Sequence, residues 1–178
     1  MNIERITAGT KNLIRTGWMQ RGVPPALGET VAEHSFEAAI LTLNICISLK
    51  DINVNCDRAS TLALLHDVGE VLLGDIPKWA SERIQEKDNV EFEALLGLGV
   101  PKEYAKELKE RSTYEAKLAK LGDIISSIIQ AIRYEKIAPD TSEIKETYMK
   151  QLKDYLDRDY SFARDSVLEL LKTYNLNL

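Results

Sequence analysis

The sequence predicts a single all-α domain, and three observations carry that prediction. Apolar residues recur at helical spacing along nearly the whole chain. Helix caps and helix breakers alternate at helix-length intervals, and nowhere does an apolar/polar alternation of the strand kind appear. The third observation is size. With 178 residues, 44% hydrophobic and 29% charged, the chain is long enough to bury one core and too short for two ordinary catalytic domains.

Taken in order, Ile3, Ile6, Leu13 and Ile14 predict a first helix over residues 2–16. Residues 17–29 hold three of the nine glycines and two of the five prolines, which reads as a long loop, the kind that carries function. Thr30 and Glu33 fit a capping box that opens a helix running to about Leu49. Asp57 is the expected N-cap of the next helix, over 58–73, whose apolar character on nearly every side places it in the middle of a bundle. Gly74-Asp75-Ile76-Pro77 stops it. Amphipathic helices are expected at 79–97 and 101–112. Residues 115–136 carry the cleanest pattern, with Leu118, Leu121, Ile124, Ile125, Ile128, Ile129 and Ile132 on helical spacing. Pro139 ends that run, Thr141 or Ser142 caps a helix to about Leu156, and 161–174 is the last.

Charge and cysteine content exclude several classes. Twenty-three Lys+Arg against 28 Asp+Glu give a net charge of −5, the wrong sign for a protein that grips duplex nucleic acid or an anionic membrane. The N-terminus has no signal-peptide core, and no uncharged run reaches the length of a membrane span. Cys46 and Cys56 make no disulfide framework and no C-x-x-C, so a reducing, cytoplasmic setting is expected.

The chain has only two histidines, and both fall in predicted helices with acidic company. His34 lies just after the Thr30 cap, and His66 is followed at once by Asp67. Asp123 sits in the isoleucine-rich helix. A buried ionised carboxylate without a partner costs several kcal/mol, and one shared cation satisfies all four groups together. Mixed nitrogen and oxygen ligands suit a first-row divalent ion: Mn, Co, Ni, Zn or Fe(II). A closed structural zinc site would instead favour thiolates. Each residue also has a plainer reading: a satisfied core histidine, an Asp paired with Lys120, a Glu33 that only caps. Residue chemistry by itself leaves both readings open.

The spacing His34, 31 residues, His66-Asp67, 55 residues, Asp123 resembles the HD-domain superfamily of metal-dependent phosphohydrolases. Arg15-Thr16-Gly17-Trp18, Glu29 through Ser35, His66 through Glu70, and Gly74 through Pro77 resemble its 5′-deoxynucleotidase-like branch, in matching order from about residue 10 to 135. The resemblance implies one HD domain over 1–178, with a metal-binding core at about 30–135 and C-terminal helices at about 141–174. It implies one divalent transition metal per chain on His34, His66, Asp67 and Asp123, and a homodimer. The implied reaction converts (deoxy)ribonucleoside 5′-monophosphates to nucleoside and phosphate. Glu70 follows His66 by four residues and Asp67 by three, on one helix face, where a carboxylate can activate water; its plainer reading is a surface Glu near a helix end. Arg15 is the candidate phosphate clamp. Trp18 either stacks on substrate or anchors the loop, Asp75 either contacts substrate or caps a turn, and Lys78 and Arg21 add positive potential.

Two other readings compete. One is a different HD phosphohydrolase, acting on cyclic dinucleotides, (p)ppGpp, nucleoside triphosphates or some other phosphomonoester; the lack of further histidines argues against a two-metal site. The other is a non-catalytic helical scaffold or nucleotide sensor, for which Glu70 would have no use.

Overall fold

A computed structural model describes residues 1–50 and 52–178. It is all-helical: α1 (Ile3–Asn12), α2 (Thr16–Met19), α3 (Val31–Ile47), α4 (Cys56–Leu65), α5 (Glu70–Leu73), α6 (Lys78–Ser81), α7 (Lys87–Gly97), α8 (Lys102–Glu110), α9 (Tyr114–Tyr134), α10 (Thr141–Leu156) and α11 (Arg164–Thr173). Among the described residues the one extended pairing is an isolated antiparallel bridge between Ile14 and Thr30.

The axis of the fold is α9. Leu118, Leu121, Ile124, Ile125, Ile128 and Ile129 are buried along it, and α3, α4 and α10 pack around it. This is the consequence of the apolar repeat: a helix that is hydrophobic on most sides lowers its free energy only where neighbours enclose it. Gly122 sets the α3–α9 approach. A β-carbon there would meet the Thr42 side chain and stand 2.5 Å from the Ala38 carbonyl oxygen. The Thr30/Glu33 capping box is complete and fixes where α3 begins, three residues before His34.

Several local expectations change. The first helix ends at Asn12, because Leu13, Ile14 and Arg15 turn extended; Arg15 N donates to Glu29 O at 2.9 Å and Val31 N to Leu13 O at 2.8 Å. The expected loop 17–29 therefore begins with the short α2. Asn55, not Asp57, caps α4, its side chain accepting from Arg58 N. The helix expected over 58–73 tightens at its middle: Val68 N donates to Leu65 O, Glu70 N to Asp67 O, and Leu72 N to Gly69 O, the three-residue spacing of an overwound turn. Gly74, with φ of 77°, then reverses the chain as expected. The helix expected over 79–97 divides into α6 and α7, with turns closing at Arg83 and Ile84 between them. Neither Thr141 nor Ser142 caps α10; Thr141 Oγ1 instead donates back to Ala138 O at 2.8 Å.

The cysteines are the plainest correction. Cys46 and Cys56 form a disulfide, with Cα atoms 5.6 Å apart. The sequence separation of ten gave no signal, since what brings them together is the antiparallel packing of α3 on α4.

Candidate metal centre

Three helical segments deliver the site. His34, with no exposed surface, comes from the first turn of α3; His66 and Asp67 come from the overwound end of α4; Asp123, 8% exposed, comes from α9. His34 Nε2 lies 3.1 Å from Asp123 Oδ1 and 3.7 Å from Asp67 Oδ2. His66 Nε2 lies 3.1 Å from Asp67 Oδ2 and 3.7 Å from Asp123 Oδ1. The two imidazoles meet edge to face at 5.2 Å. Ligand atoms of His34, His66 and Asp67 all fall within 4.8 Å of one another, and Asp123 closes the other side of the histidine pair.

The donors fit a divalent cation. His66 Nδ1–H donates to Ala63 O at 2.6 Å, so in the neutral ring the Nε2 lone pair faces the carboxylates, open to a cation or a proton. The electrostatics point the same way. Burial opposes charging of His66, yet Asp67 and Asp123 outweigh it and push its pKa up to about 10. Burial likewise opposes ionising Asp67, but His66 holds it well below the usual carboxylate range. Asp123 is held down, against its own burial, chiefly by Lys120. Two anions thus share a buried space that demands positive charge, and a proton on His66 supplies it where no metal does. On His34, Arg15 Nη1 at 2.9 Å from Nδ1 is a pure donor, which leaves the ring hydrogen on Nε2, aimed at Asp123. A cation at Nε2 requires that hydrogen on Nδ1, where Ser126 Oγ at 3.2 Å can accept it.

The expected pairing of Asp123 with Lys120 is present, and it engages only one of the two carboxylate oxygens. Oδ1 faces the histidines while Oδ2 accepts from Lys120 Nζ at 2.6 Å, one turn earlier on α9. Glu70 projects into the same cleft as Asp67 and Asp123. Burial first, then the charges of Asp67 and Asp75, push its pKa up to about 10, and its Oε2 is buried without a partner.

Arg15 is brought against this group. Besides His34 it reaches Ser127 Oγ at 3.2 Å and Glu29 Oε2 at 3.5 Å. Burial would ease its proton off, but Glu29 more than compensates and raises its pKa. Glu29 has a role that sequence reasoning missed. It is a 5% exposed carboxylate that also accepts the Trp18 indole N–H at 2.8 Å, so one buried anion holds both Arg15 and Trp18. Its sequence signal was slight: a single Glu at the end of a Gly/Pro-rich loop. Trp18 is 2% exposed and packs edge to face on Tyr134 at 5.4 Å, the surroundings of a loop anchor. Asp75 accepts the Thr16 amide, and Thr16 Oγ1 donates to Asp75 O at 3.0 Å, tying the 74–77 turn to α2. Lys78 Nζ donates to Gln151 Oε1 at 2.9 Å and lies 4.6 Å from the Tyr148 ring centre; burial lowers its pKa. Arg21 is drawn off to an exposed pair with Glu143 at 2.8 Å.

The central helices of this all-helical bundle thus converge two histidines and two carboxylates into a group that could hold a metal ion, with Arg15 and Glu70 bordering the same cleft. The HD domain family matches residues 8–161, and the chain belongs to that family. It is 32% identical over 180 residues to the 5′-deoxynucleotidase HDDC2 of Danio rerio, covering 96% of this chain and 84% of that protein. Against the human protein of the same name it is 32% identical, covering 81% and 72%. Among solved structures, a conserved hypothetical protein from Pyrococcus furiosus superposes with a TM-score of 0.79 at 29% identity, covering 94% of this chain and 96% of that one. The PH0347 protein of Pyrococcus horikoshii gives 0.78 at 28%, with the same coverage.

Proposed function

We propose that this chain is a metal-dependent 5′-nucleotidase that hydrolyses nucleoside 5′-monophosphates, deoxy forms preferentially, with one transition-metal ion held by His34, His66, Asp67 and Asp123. The observation that carries the reading is the convergence of those four groups on one buried point with Glu70 and Arg15 in the same cleft. When bound, a divalent cation lowers the pKa of a water and offsets charge on phosphoryl oxygens. Once the His34 hydrogen moves to the Ser126 side, Arg15 is released from Nδ1 and its guanidinium clamps two phosphate oxygens. Glu70 takes the proton of the attacking water. Its raised pKa means that it ionises at neutral pH only with positive charge beside it, so the base is armed together with the site. The water oxygen attacks phosphorus, the bond to the sugar 5′-oxygen breaks, and that oxygen takes up the proton Glu70 had accepted and leaves as the nucleoside, returning Glu70 to its ionised form.

The deoxy preference rests on the relatives' names and on the close Gly74–Pro77 turn, which is pinned to α2 through Asp75. The net charge of −5 supports a small-molecule substrate over nucleic acid. No helix among the described residues is long and apolar enough to cross a membrane. A homodimer is part of the proposal, supported by the exposed Phe36, Ile40 and Ile47 on α3. The Cys46–Cys56 bond weighs against the reducing, cytoplasmic setting expected from the cysteine count.

The test is phosphate release from a panel of deoxy- and ribonucleoside mono-, di- and triphosphates with Mn²⁺ or Co²⁺. The proposal expects monophosphates to be cleaved, deoxy ahead of ribo. Cleavage confined to triphosphates or cyclic nucleotides would replace it with another phosphohydrolase reading, and no turnover at all with a sensor.

A further inference from the structure

The C-terminal helices carry none of the motifs, yet α10 reaches the site. Two cavities meet there. One is the metal cleft, which contains Asp67, Glu70 and Asp123. The other is a chamber of about 740 Å³, including its open mouth, walled by Trp18, Pro77 and Ile144. Five residues border both: Arg15, Asp75, Ile76, Lys78 and Tyr148. If the phosphate of a nucleotide occupies the cleft and its nucleoside the chamber, the ester link crosses that border. Groups on the border then face the bond that breaks.

Three of the five are spoken for. Asp75 holds the Thr16 amide, Ile76 has no polar side-chain atom, and Lys78 Nζ is bonded to Gln151. Arg15 is already assigned to the phosphate. Tyr148 remains, a phenol whose hydroxyl enters none of the side-chain hydrogen bonds found among the described residues. Its ring is held from one side by Lys78 Nζ, 4.6 Å from the centroid, and Lys78 is itself held by Gln151, one turn further along α10. The phenol is also close enough to sense the charges of Arg15, Asp123, Lys120 and Asp67 together. A fixed, neutral donor without a partner, beside a cleft that receives a dianion, is placed to donate to that dianion.

We infer that Tyr148 touches the substrate, donating its phenolic hydrogen bond to a phosphoryl oxygen across the cleft from Arg15. The chain would thus bind its phosphate between the first helical turns and α10, and α10 would be a wall of the active site. This rests on the phosphomonoesterase reading above, but its test does not need turnover.

The variant is Tyr148→Phe, which keeps the ring and its Lys78 contact. It is compared with wild type in Mn²⁺-loaded protein, by calorimetric titration with inorganic phosphate and by kcat/KM for a deoxynucleoside 5′-monophosphate. Losing a hydrogen bond to a charged group should weaken phosphate binding and lower kcat/KM by roughly ten- to hundredfold each. Bound Mn²⁺ per chain and the melting temperature should match wild type. Phosphate affinity within twofold of wild type would overturn the inference, as would loss of Mn²⁺, which would make Tyr148 part of the metal site. If wild type cleaves no nucleoside monophosphate but Tyr148→Phe still weakens phosphate binding tenfold, the substrate reading fails and the Tyr148 contact stands.

Discussion

Replacing Glu70 by Gln separates chemistry from stability at one position. The side chain is nearly isosteric, and the carboxyl it replaces is one that burial, Asp67 and Asp75 keep protonated up to about pH 10 in the absence of a cation. At pH 7 the folded metal-free protein therefore exchanges one neutral group for another, but unfolded wild type ionises at this position and the glutamine cannot, so the metal-free variant should already melt above wild type. The sign at higher pH follows from linkage. An acid whose folded pKa is raised contributes stability that is full below its unfolded value, near 4.5, and is lost as pH rises through about 10. Glutamine has no proton to lose, so the lead of the metal-free variant over wild type should widen between pH 7 and pH 9. His66, raised to about 10 from 6.5, runs down over the upper part of the same range in both proteins and cancels in the comparison. Activity should move the other way. Without a group to take the proton, kcat in Mn²⁺-loaded protein should fall roughly 10²–10⁴-fold. Differential scanning fluorimetry at pH 7 and 9, with phosphate-release kinetics, reads both effects. A kcat within twofold of wild type would refute the assignment of Glu70 as base, and loss of metal would make it a ligand.

Reducing the Cys46–Cys56 bond opens a loop spanning ten positions, and chain entropy puts its contribution at about 2–3 kcal/mol; urea midpoints with and without reductant should differ accordingly, and identical midpoints would deny it a stabilising role. Gly122→Ala drives a methyl group into Thr42 and the Ala38 carbonyl, so it should cost about 1–3 kcal/mol or more by thermal melts and, by pushing α9 from α3, weaken metal retention as measured by elemental analysis.

What the sequence made legible follows from which interactions are local. The α9 repeat and the Thr30/Glu33 box are written in neighbouring residues, and both elements stand within a residue or two of where pattern placed them. The meeting of His34, His66, Asp67 and Asp123 was readable only as a coincidence of rare residues in apolar helices, sharpened by a resemblance. The unread features depend on tertiary contacts. The end of α1 at Asn12 is set by pairing of Leu13 and Arg15 with residues near Glu29. The overwinding at 66–69 leaves no mark in helix propensity, although it presents His66 and Asp67 together. The Glu29 bridge between Arg15 and Trp18, and the arrival of Tyr148 from α10, join residues far apart in the chain.

The central claim is one catalytic metal on His34, His66, Asp67 and Asp123. Its most direct test is to strip the protein with chelator, return Mn²⁺ in fractions of an equivalent, and follow phosphate release from a deoxynucleoside 5′-monophosphate. The account predicts no turnover in the stripped protein, a linear rise that breaks at one equivalent per chain, and no recovery in His66→Ala. A break at two equivalents, or turnover that survives stripping, would contradict it.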